Sequence, residues 1–490
     1  MARPPRPVQP VPDRPDPIAW VGPVLLAFGV RLFLAARTSG LTMDSALYVR
    51  MAEALRAGTH EPSPAHHGYP ILVALASVLL PGREWPARIV SWLASLALVV
   101  LVQQAARRRM GARAGWVAGL AVALHPLLAI YGVAVMTEAA FLALAFAGMM
   151  RLDRGAPRSG GALLGAAWWV RPEAAVLAPL AVMLAPLSRR ARVVALVAAL
   201  VVALPYTVVL RVEQGYWSLT PKTALVHAPA ADARAAEWRL HDASALPDTV
   251  GLGTRLVRDG GAIVRAWPER FAEQARRVND AWPLPLLLLA LLGLARREGR
   301  GPWLACLALP FVYPLLAAPA DLRFASALVP PLALASVAGA RQLWWRGRTG
   351  RVTALALLVA SGVLMARGPA TRLALAFDDG PMTSLRGAGA WLAEHSGPDA
   401  VIMDRKSYVP FFAHRRHVQL PDEPLDTLLD YARTSGADYL IVEEYVVRGL
   451  RPQLAPLLDG STLADEPRVR LVYATRPSPG EGVAVLEVVR

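Results

Sequence analysis

Asp44 is the residue of this 490-residue chain best placed to do chemistry. It follows the first long apolar stretch and heads a segment, Met43 to Ala57, in which Met43, Leu47, Met51, Ala54 and Leu55 recur at helical spacing. Gly58 stops that helix. A carboxylate where an apolar helix meets water is costly to keep unpaired near lipid, which marks it as functional by default. Asp also N-caps helices well, and on local grounds both readings stand. Other candidates are scattered. Glu138 follows Met136-Thr137 at the start of an apolar helix, and Arg171 and Glu173 flank Pro172. Lys222 is one of only two lysines, and Asp321 and Arg323 precede a late apolar run. Taken singly, Glu138 complements a helix dipole, and Arg171 and Glu173 can pair with each other. Taken together, they put an acid and several cations around one cavity. That set suits a reaction in which a carboxylate acts on a hydroxyl while guanidinium groups hold a phosphate leaving group.

The elements that must bring these residues together are apolar. The chain is 55% hydrophobic and only 18% charged. Apolar stretches close to the length of a bilayer crossing recur between short basic clusters, the signature of a polytopic α-helical membrane protein. The formal charge of +15 comes almost wholly from arginine. In a soluble protein it would suggest nucleic acid, but these arginines sit in short loops between apolar spans, so membrane orientation explains them and no nucleic-acid partner is expected. The single cysteine, Cys306, lies in an apolar span, which excludes a disulfide framework and a cysteine-based metal site. Residues 1–17 are rich in Pro and Arg and are expected to be disordered. They lack the cleavage site of a signal peptide, so the first apolar segment is expected to stay as an anchor.

Spans are predicted at 18–36, where Arg31 either snorkels or faces the bundle, and at 86–106, 114–131, 136–151, 160–171, 172–188, 191–211, 282–296, 301–319, 324–343 and 351–367. The pair 160–171 and 172–188 reads as half-helices joined at Arg171-Pro172-Glu173, and Pro70 to Leu80 is too short to cross. With about eleven spans and the N-terminus inside, the Arg-rich clusters at 107–113, 151–158, 189–192, 296–300 and 341–351 all fall on the cytoplasmic side. Asp44, the loops 38–85 and 212–280 and everything after 367 then lie outside. The long 212–280 segment carries an amphipathic stripe of Ile263, Trp267, Phe271 and Ala275, read as interfacial helices on the outer membrane surface. Residues 368–490 change character. Strand-length apolar runs (Ala400 to Met403, Tyr439 to Val442, Val469 to Tyr473, Val483 to Val488) alternate with helical stretches (Ser384 to Glu394, Leu425 to Arg433). This predicts a small soluble α/β domain, extracytoplasmic by the topology above.

An ordered set of residues resembles a known family. Asp44, Tyr48, Ala52 and Gly58 in the first outer loop, then Tyr69-Pro70 opening a short helix, are similar to the first loop of the GT-C glycosyltransferases. Thr137-Glu138, the Arg171-Pro172-Glu173 junction and Arg323-Phe324 followed by Pro330-Pro331 are similar to later features of the protein-mannosyltransferase-like and aminoarabinose-transferase-like branch, which includes bacterial lipopolysaccharide-core and cell-envelope transferases. The resemblance covers residues 18–345, and the terminal domain resembles the variable periplasmic domains of these enzymes. It implies a bacterial inner-membrane enzyme that transfers a monosaccharide from a polyprenyl-phosphate donor to a glycan, lipid or protein acceptor, in one inverting step and without a cofactor. Asp44 would be the general base. Arg323, with Lys222 or Arg171, would bind the lipid phosphate, and His66, His67 and Tyr69 would line the pocket. Tyr48 and Glu138 complete the expected substrate-binding set. Many relatives carry a second acid next to the first; here that position is Ser45, which weakens the case for an acidic pair or a metal. His60, Glu61, His66 and His67 could bind a metal in principle, but histidines in such a loop more often line a pocket, and no metal is expected.

Two readings compete with the enzyme. A transporter or flippase of lipid-linked glycans would show internal repeats with broken helices in matching halves, and no repeat is visible. A structural envelope protein leaves Asp44 and the outer-side cations without a role.

Overall fold

The computed structural model describes residues 17–42, 44–59, 65–215, 217–221, 252–316, 321–377, 380–421, 423–449, 451–459, 466–477 and 479–489. Lys222, His60, Glu61 and the N-terminal segment 1–16 lie outside the described residues.

The first helix, α1 (Pro17–Ala35), is followed by α2 (Ser45–Arg56), α3 (Gly68–Ala76), α4 (Trp85–Met110), α5 (Ala112–Leu124), α6 (Pro126–Tyr131), α7 (Thr137–Asp153), α8 (Pro157–Val170), α9 (Ala174–Leu184) and α10 (Arg189–Gln214). Further on come α11 (Leu252–Ala281), α12 (Leu284–Leu294), a largely 3₁₀ stretch over Pro302–Leu316, α13 (Val329–Trp344) and α14 (Arg348–Arg367). Among the described residues, four helices are long and apolar enough to cross a bilayer alone: Trp85–Met110, Arg189–Glu213, Leu322–Trp344 and Arg348–Arg367. The other apolar stretches form shorter or broken helices, and α11 with α12 makes one bent pair.

Proline accounts for several of the breaks. The expected span 114–131 is split by His125-Pro126, because proline has no N–H to continue the helix ladder. Arg31, fully buried, reaches across this break. It donates to the carbonyls of Ala123 and Leu128 and to Ser95 Oγ. A buried cation in an apolar bundle is tolerable when backbone carbonyls take its protons, so Arg31 faces the bundle and does not snorkel. The 160–188 region is two helices, α8 and α9, as expected, and their junction lies at Arg171-Pro172-Glu173.

The described part of 212–280 is largely helical. One long helix, α11, occupies 252–281 and meets α12 at 96°. Its Trp267 and Phe271 rings stack on each other, and Phe271 stacks on Phe311 with centroids 5.0 Å apart. Trp267 also donates to the Phe311 carbonyl. Trp267 and Phe271 thus touch protein on one side and stay half-buried, and Phe311 is itself exposed.

Three of the basic clusters converge at one end of the bundle. Arg109, near the end of α4, bonds Asp153 at the end of α7 and the Arg300 carbonyl beyond α12. Near the other end of α4, Arg88 donates to the Ala35 and Thr38 carbonyls at 2.9 and 2.8 Å. The two arginines are about 32 Å apart along the helix at 1.5 Å per residue. The loop holding Asp44 is thus at the end of the bundle remote from the 107–113, 151–158 and 296–300 clusters.

The terminal segment forms a five-stranded sheet in the order β2-β1-β3-β5-β4. The strands are β1 (Val401–Asp404), β2 (Arg416–Gln419), β3 (Tyr439–Glu443), β4 (Val469–Thr475) and β5 (Val483–Val488). The first three are parallel, and β5 runs antiparallel to both β3 and β4. Side chains alternate between faces. Ile402, Ile441 and Val485 pack with Leu385, Ala388 and Leu392 of α15 (Gly380–His395). Met403, Leu440, Val442 and Leu486 pack with Leu428, Leu429 and Ala432 of α17 (Leu425–Thr434), while α16 (Tyr408–Ala413) lies between β1 and β2. All four expected strands and both expected helices are present. The additional strand β2 reads Arg-His-Val-Gln, too polar to stand out in the sequence.

Close helix contact in the bundle rests on glycine. A Cβ at Gly339 would stand 1.9 Å from the Leu289 carbonyl, and one at Gly293 would stand 1.8 Å from that of Ala335. Small residues let membrane helices approach this way. Gly339→Leu is expected to push α12 and α13 apart and destabilise the fold by at least about 1–3 kcal/mol. The measurement is thermal unfolding of purified protein in detergent, and an unchanged midpoint would contradict the packing described.

Candidate active site

The loop before α2 is stitched to the loop before α7. Gly40 sits at φ +74°, and a Cβ there would meet the Val133 carbonyl at 2.4 Å. Its own carbonyl accepts from Val135 N at 2.8 Å. Ser45 Oγ donates to the Thr42 carbonyl at 2.5 Å and lies 2.9 Å from the Val135 carbonyl. Ser45 is therefore a buried structural stitch. These contacts bring the head of α2 beside the head of α7, and so bring Asp44 toward Glu138.

Asp44 occupies the N-cap position of α2, but its side chain makes no capping bond. Its Oδ1 instead accepts from Lys406 Nζ at 3.0 Å, and both side chains are largely shielded. Lys406 lies 362 residues away, in the turn after β1 of the terminal domain.

Glu138, in the first turn of α7, receives Arg171 Nη1 at 2.5 Å, and the same nitrogen donates to Thr137 Oγ1 at 3.1 Å. Arg171 also forks onto Glu173 Oε1 at 3.0 and 2.7 Å, where the Tyr313 hydroxyl donates as well. Both carboxylates are almost fully buried. Pro172 pushes Arg171 into extended backbone, φ −151°, and so ends α8 where the guanidinium can turn inward. The ordinary explanation of an Arg171–Glu173 pair is correct but incomplete, because Glu138 shares the cation.

Arg323 pairs with Asp321 at 3.3 Å, and the Asp321 carboxylate also caps the Arg323 N–H at 2.9 Å. Its guanidinium lies over Phe324, which stacks on Tyr313. Asp44, Glu138 and Arg171 lie within electrostatic reach of Arg323. The same three residues and Arg323 surround the buried Tyr48. Asp44, Tyr48, Glu138, Arg171 and Arg323 therefore form one polar cluster near the heads of α2 and α7.

Tyr69 supports this cluster. Its ring meets Tyr48 edge-on at 5.4 Å, while its hydroxyl bonds the Ala87 carbonyl and Ser91 Oγ of α4. His66 and His67 are turned elsewhere. His66 bridges the Trp168 carbonyl and Thr220 Oγ1, His67 pairs with Glu213 at 3.0 Å, and both rings lie against Tyr206. They fasten their loop to α8 and α10. Among the described residues, no group of three His, Cys, Asp or Glu side chains is placed to hold a metal ion.

The sequence reading missed Lys406 and its setting. Asp404, buried at the end of β1, accepts the backbone N–H of Val409 at 3.1 Å and those of Arg405 and Lys406, which fixes the turn. Burial and the neighbouring Asp404 charge push the Glu443 carboxyl up to about 8. Burial raises Asp404 as well, so the two carboxyls titrate as a pair above the usual carboxylate range. The only signal was the scarcity of lysine.

Comparison with solved structures identifies the fold as that of the GT-C glycosyltransferases. One neighbour is ArnT from Cupriavidus metallidurans bound to undecaprenyl phosphate, at TM-score 0.54 and 13% identity over 95% of this chain and 98% of that one. The apo form of the same protein gives 0.52 and 14%, with the same coverage. Another is the archaeal oligosaccharyltransferase AglB from Archaeoglobus fulgidus, in complex with an inhibitory peptide and a dolichol-phosphate, at 0.56 and 12% identity over 95% of this chain and 74% of that one. No protein-family model and no curated protein matches the sequence.

Arg171→Ala would strand two buried carboxylates. A loss of about 3–5 kcal/mol is expected, as for breaking a buried ion pair by removing one partner. It should appear as reduced thermal stability and yield, and a variant as stable as the parent would contradict the network.

Proposed function

We propose that this protein is a multi-pass bacterial inner-membrane glycosyltransferase. It moves a monosaccharide from a polyprenyl-phosphate donor to an envelope acceptor at the extracytoplasmic face. The observation that carries this reading is the polar cluster of Asp44, Tyr48 and Arg323 at the end of the bundle opposite Arg109, Asp153 and Arg300. The fold adds support: ArnT is known bound to undecaprenyl phosphate and AglB in complex with dolichol-phosphate and a peptide.

In this reading Asp44 takes the proton of the acceptor hydroxyl, whose oxygen attacks the anomeric carbon from the face opposite the phosphate. The bond between that carbon and the phosphate oxygen breaks with its electron pair on the oxygen. Arg323 holds the resulting phosphate by charge-assisted hydrogen bonds. Arg171 is compensated by Glu138 and Glu173, so its role is to keep the site's wall in place, leaving the phosphate to Arg323. Tyr48 and Tyr69 form the floor. The acceptor is a glycan, a lipid or a protein carrying a free hydroxyl, and the terminal domain lies on the same outer side.

The experiment is transfer by purified protein from a panel of radiolabelled polyprenyl-phosphate sugars. Asp44→Asn keeps the size and removes the base, so turnover should fall by about 10²–10⁴-fold with membrane insertion intact. Normal turnover in that variant would remove Asp44 from the chemistry. Arg323→Ala should raise the donor KM roughly tenfold or more, the loss of a hydrogen bond to a charged group, while leaving the acceptor KM nearly unchanged. Movement of labelled lipid across vesicles without transfer would instead favour a flippase.

A further inference from the structure

The reading above treats Asp44 as the base, and the following rests on it. We propose that Lys406 is an active-site positioning residue supplied by the terminal domain, which orients Asp44 by holding its Oδ1 while the carboxylate takes the acceptor's proton.

A carboxylate offers about four lone-pair positions on its two oxygens, so one ammonium on Oδ1 does not exclude a hydroxyl. A base at the head of a helix, with no capping bond of its own, needs such a tether to keep its geometry. Misplacement by an ångström lowers rates by about 10²-fold.

Lys406 is built into its position. Asp404 gathers the N–H groups of Arg405, Lys406 and Val409 at the end of β1. Ser407 follows at φ +57°, and His414 at φ +56° closes the short helix α16; among the described residues these are the two non-glycine residues at positive φ. Strained backbone on both sides of one six-residue helix is the kind of feature that persists where geometry has a purpose. Three further contacts lock the segment to the membrane half. Tyr408 lies beside Ser45, the neighbour of Asp44. Arg83 clasps Glu53 of α2 and donates to the Phe411 carbonyl, with its guanidinium 3.9 Å from the Phe411 ring centre. Arg386 pairs with Glu84 at 2.8 Å. The charged and titratable groups facing the Asp44–Lys406 pair are Tyr48, Glu138, Arg171 and Arg323 from the bundle, and Asp404, Arg405, Tyr408 and Glu443 from the domain. The terminal domain thereby contributes to the reaction centre as well as covering it.

The test uses full-length protein in lipid nanodiscs, with undecaprenyl-phosphate hexoses and pentoses as donors. Lys406→Gln is expected to lower kcat by about tenfold to a hundredfold, with the donor KM within twofold. Arg386→Gln removes another ion pair between the same two parts, away from Asp44, and should retain kcat. Lys406→Cys should behave like Lys406→Gln, and aminoethylation of its thiol, which rebuilds an ammonium of similar reach, should restore at least half of kcat. The one native thiol, Cys306, is buried and does not compete for the reagent. Equal losses in Lys406→Gln and Arg386→Gln would reduce Lys406 to a domain fastener and overturn the inference. So would a kcat within twofold of wild type in Lys406→Gln, or no recovery on aminoethylation. A wild-type protein that transfers from none of these donors would overturn the transferase reading itself, and the inference with it.

Discussion

A charge at the rim of an apolar bundle survives only if another charge or a backbone dipole meets it. That constraint organises this protein. Arg31 is met by carbonyls across the Pro126 break and Arg171 by Glu138 and Glu173, while Asp44 is met from the other domain by Lys406. Each pairing also fixes architecture. The first ties α1 to α4 and to the α5–α6 break, the second ties α7 to the α8–α9 junction, and the third ties the bundle to the terminal domain. The residues that could do chemistry are thus held by the contacts that hold the fold.

The site is asymmetric. On one side Glu138 and Glu173 both pair with Arg171, so that guanidinium is committed to the wall. On the other, Asp44 pairs with Lys406, and Arg323 with the partly exposed Asp321. The stacked Phe324 and Tyr313 link the two sides.

Much of this was legible in the sequence. Asp44 stood out because a carboxylate next to an apolar span is rarely idle. Arg171-Pro172-Glu173 announced a helix break because proline allows little else. The alternation of short strands and helices after residue 380 gave the terminal domain nearly element by element. The failures have physical causes. Span length is invisible when a bundle uses shortened, kinked helices, because composition is the same on both sides of a kink. The polar strand β2 is recruited by its neighbours and not by its own residues. Trp267 and Phe271 form an amphipathic stripe whether lipid or Phe311 touches them. His66 and His67 have partners on α8 and α10 that no local pattern names. Lys406, 362 residues from Asp44, is a contact that only tertiary structure creates.

The central claim is that one site at the outer end of the bundle receives a lipid-linked phosphate beside Arg323 and within reach of Asp44. It is tested most directly by electron cryomicroscopy of the protein in nanodiscs with undecaprenyl phosphate. The expected map shows the phosphate within hydrogen-bonding distance of the Arg323 guanidinium, with the lipid chain leaving between helices toward the bilayer. A phosphate bound instead at the end marked by Arg109, Asp153 and Arg300, or one with no contact to Arg323, would contradict the account.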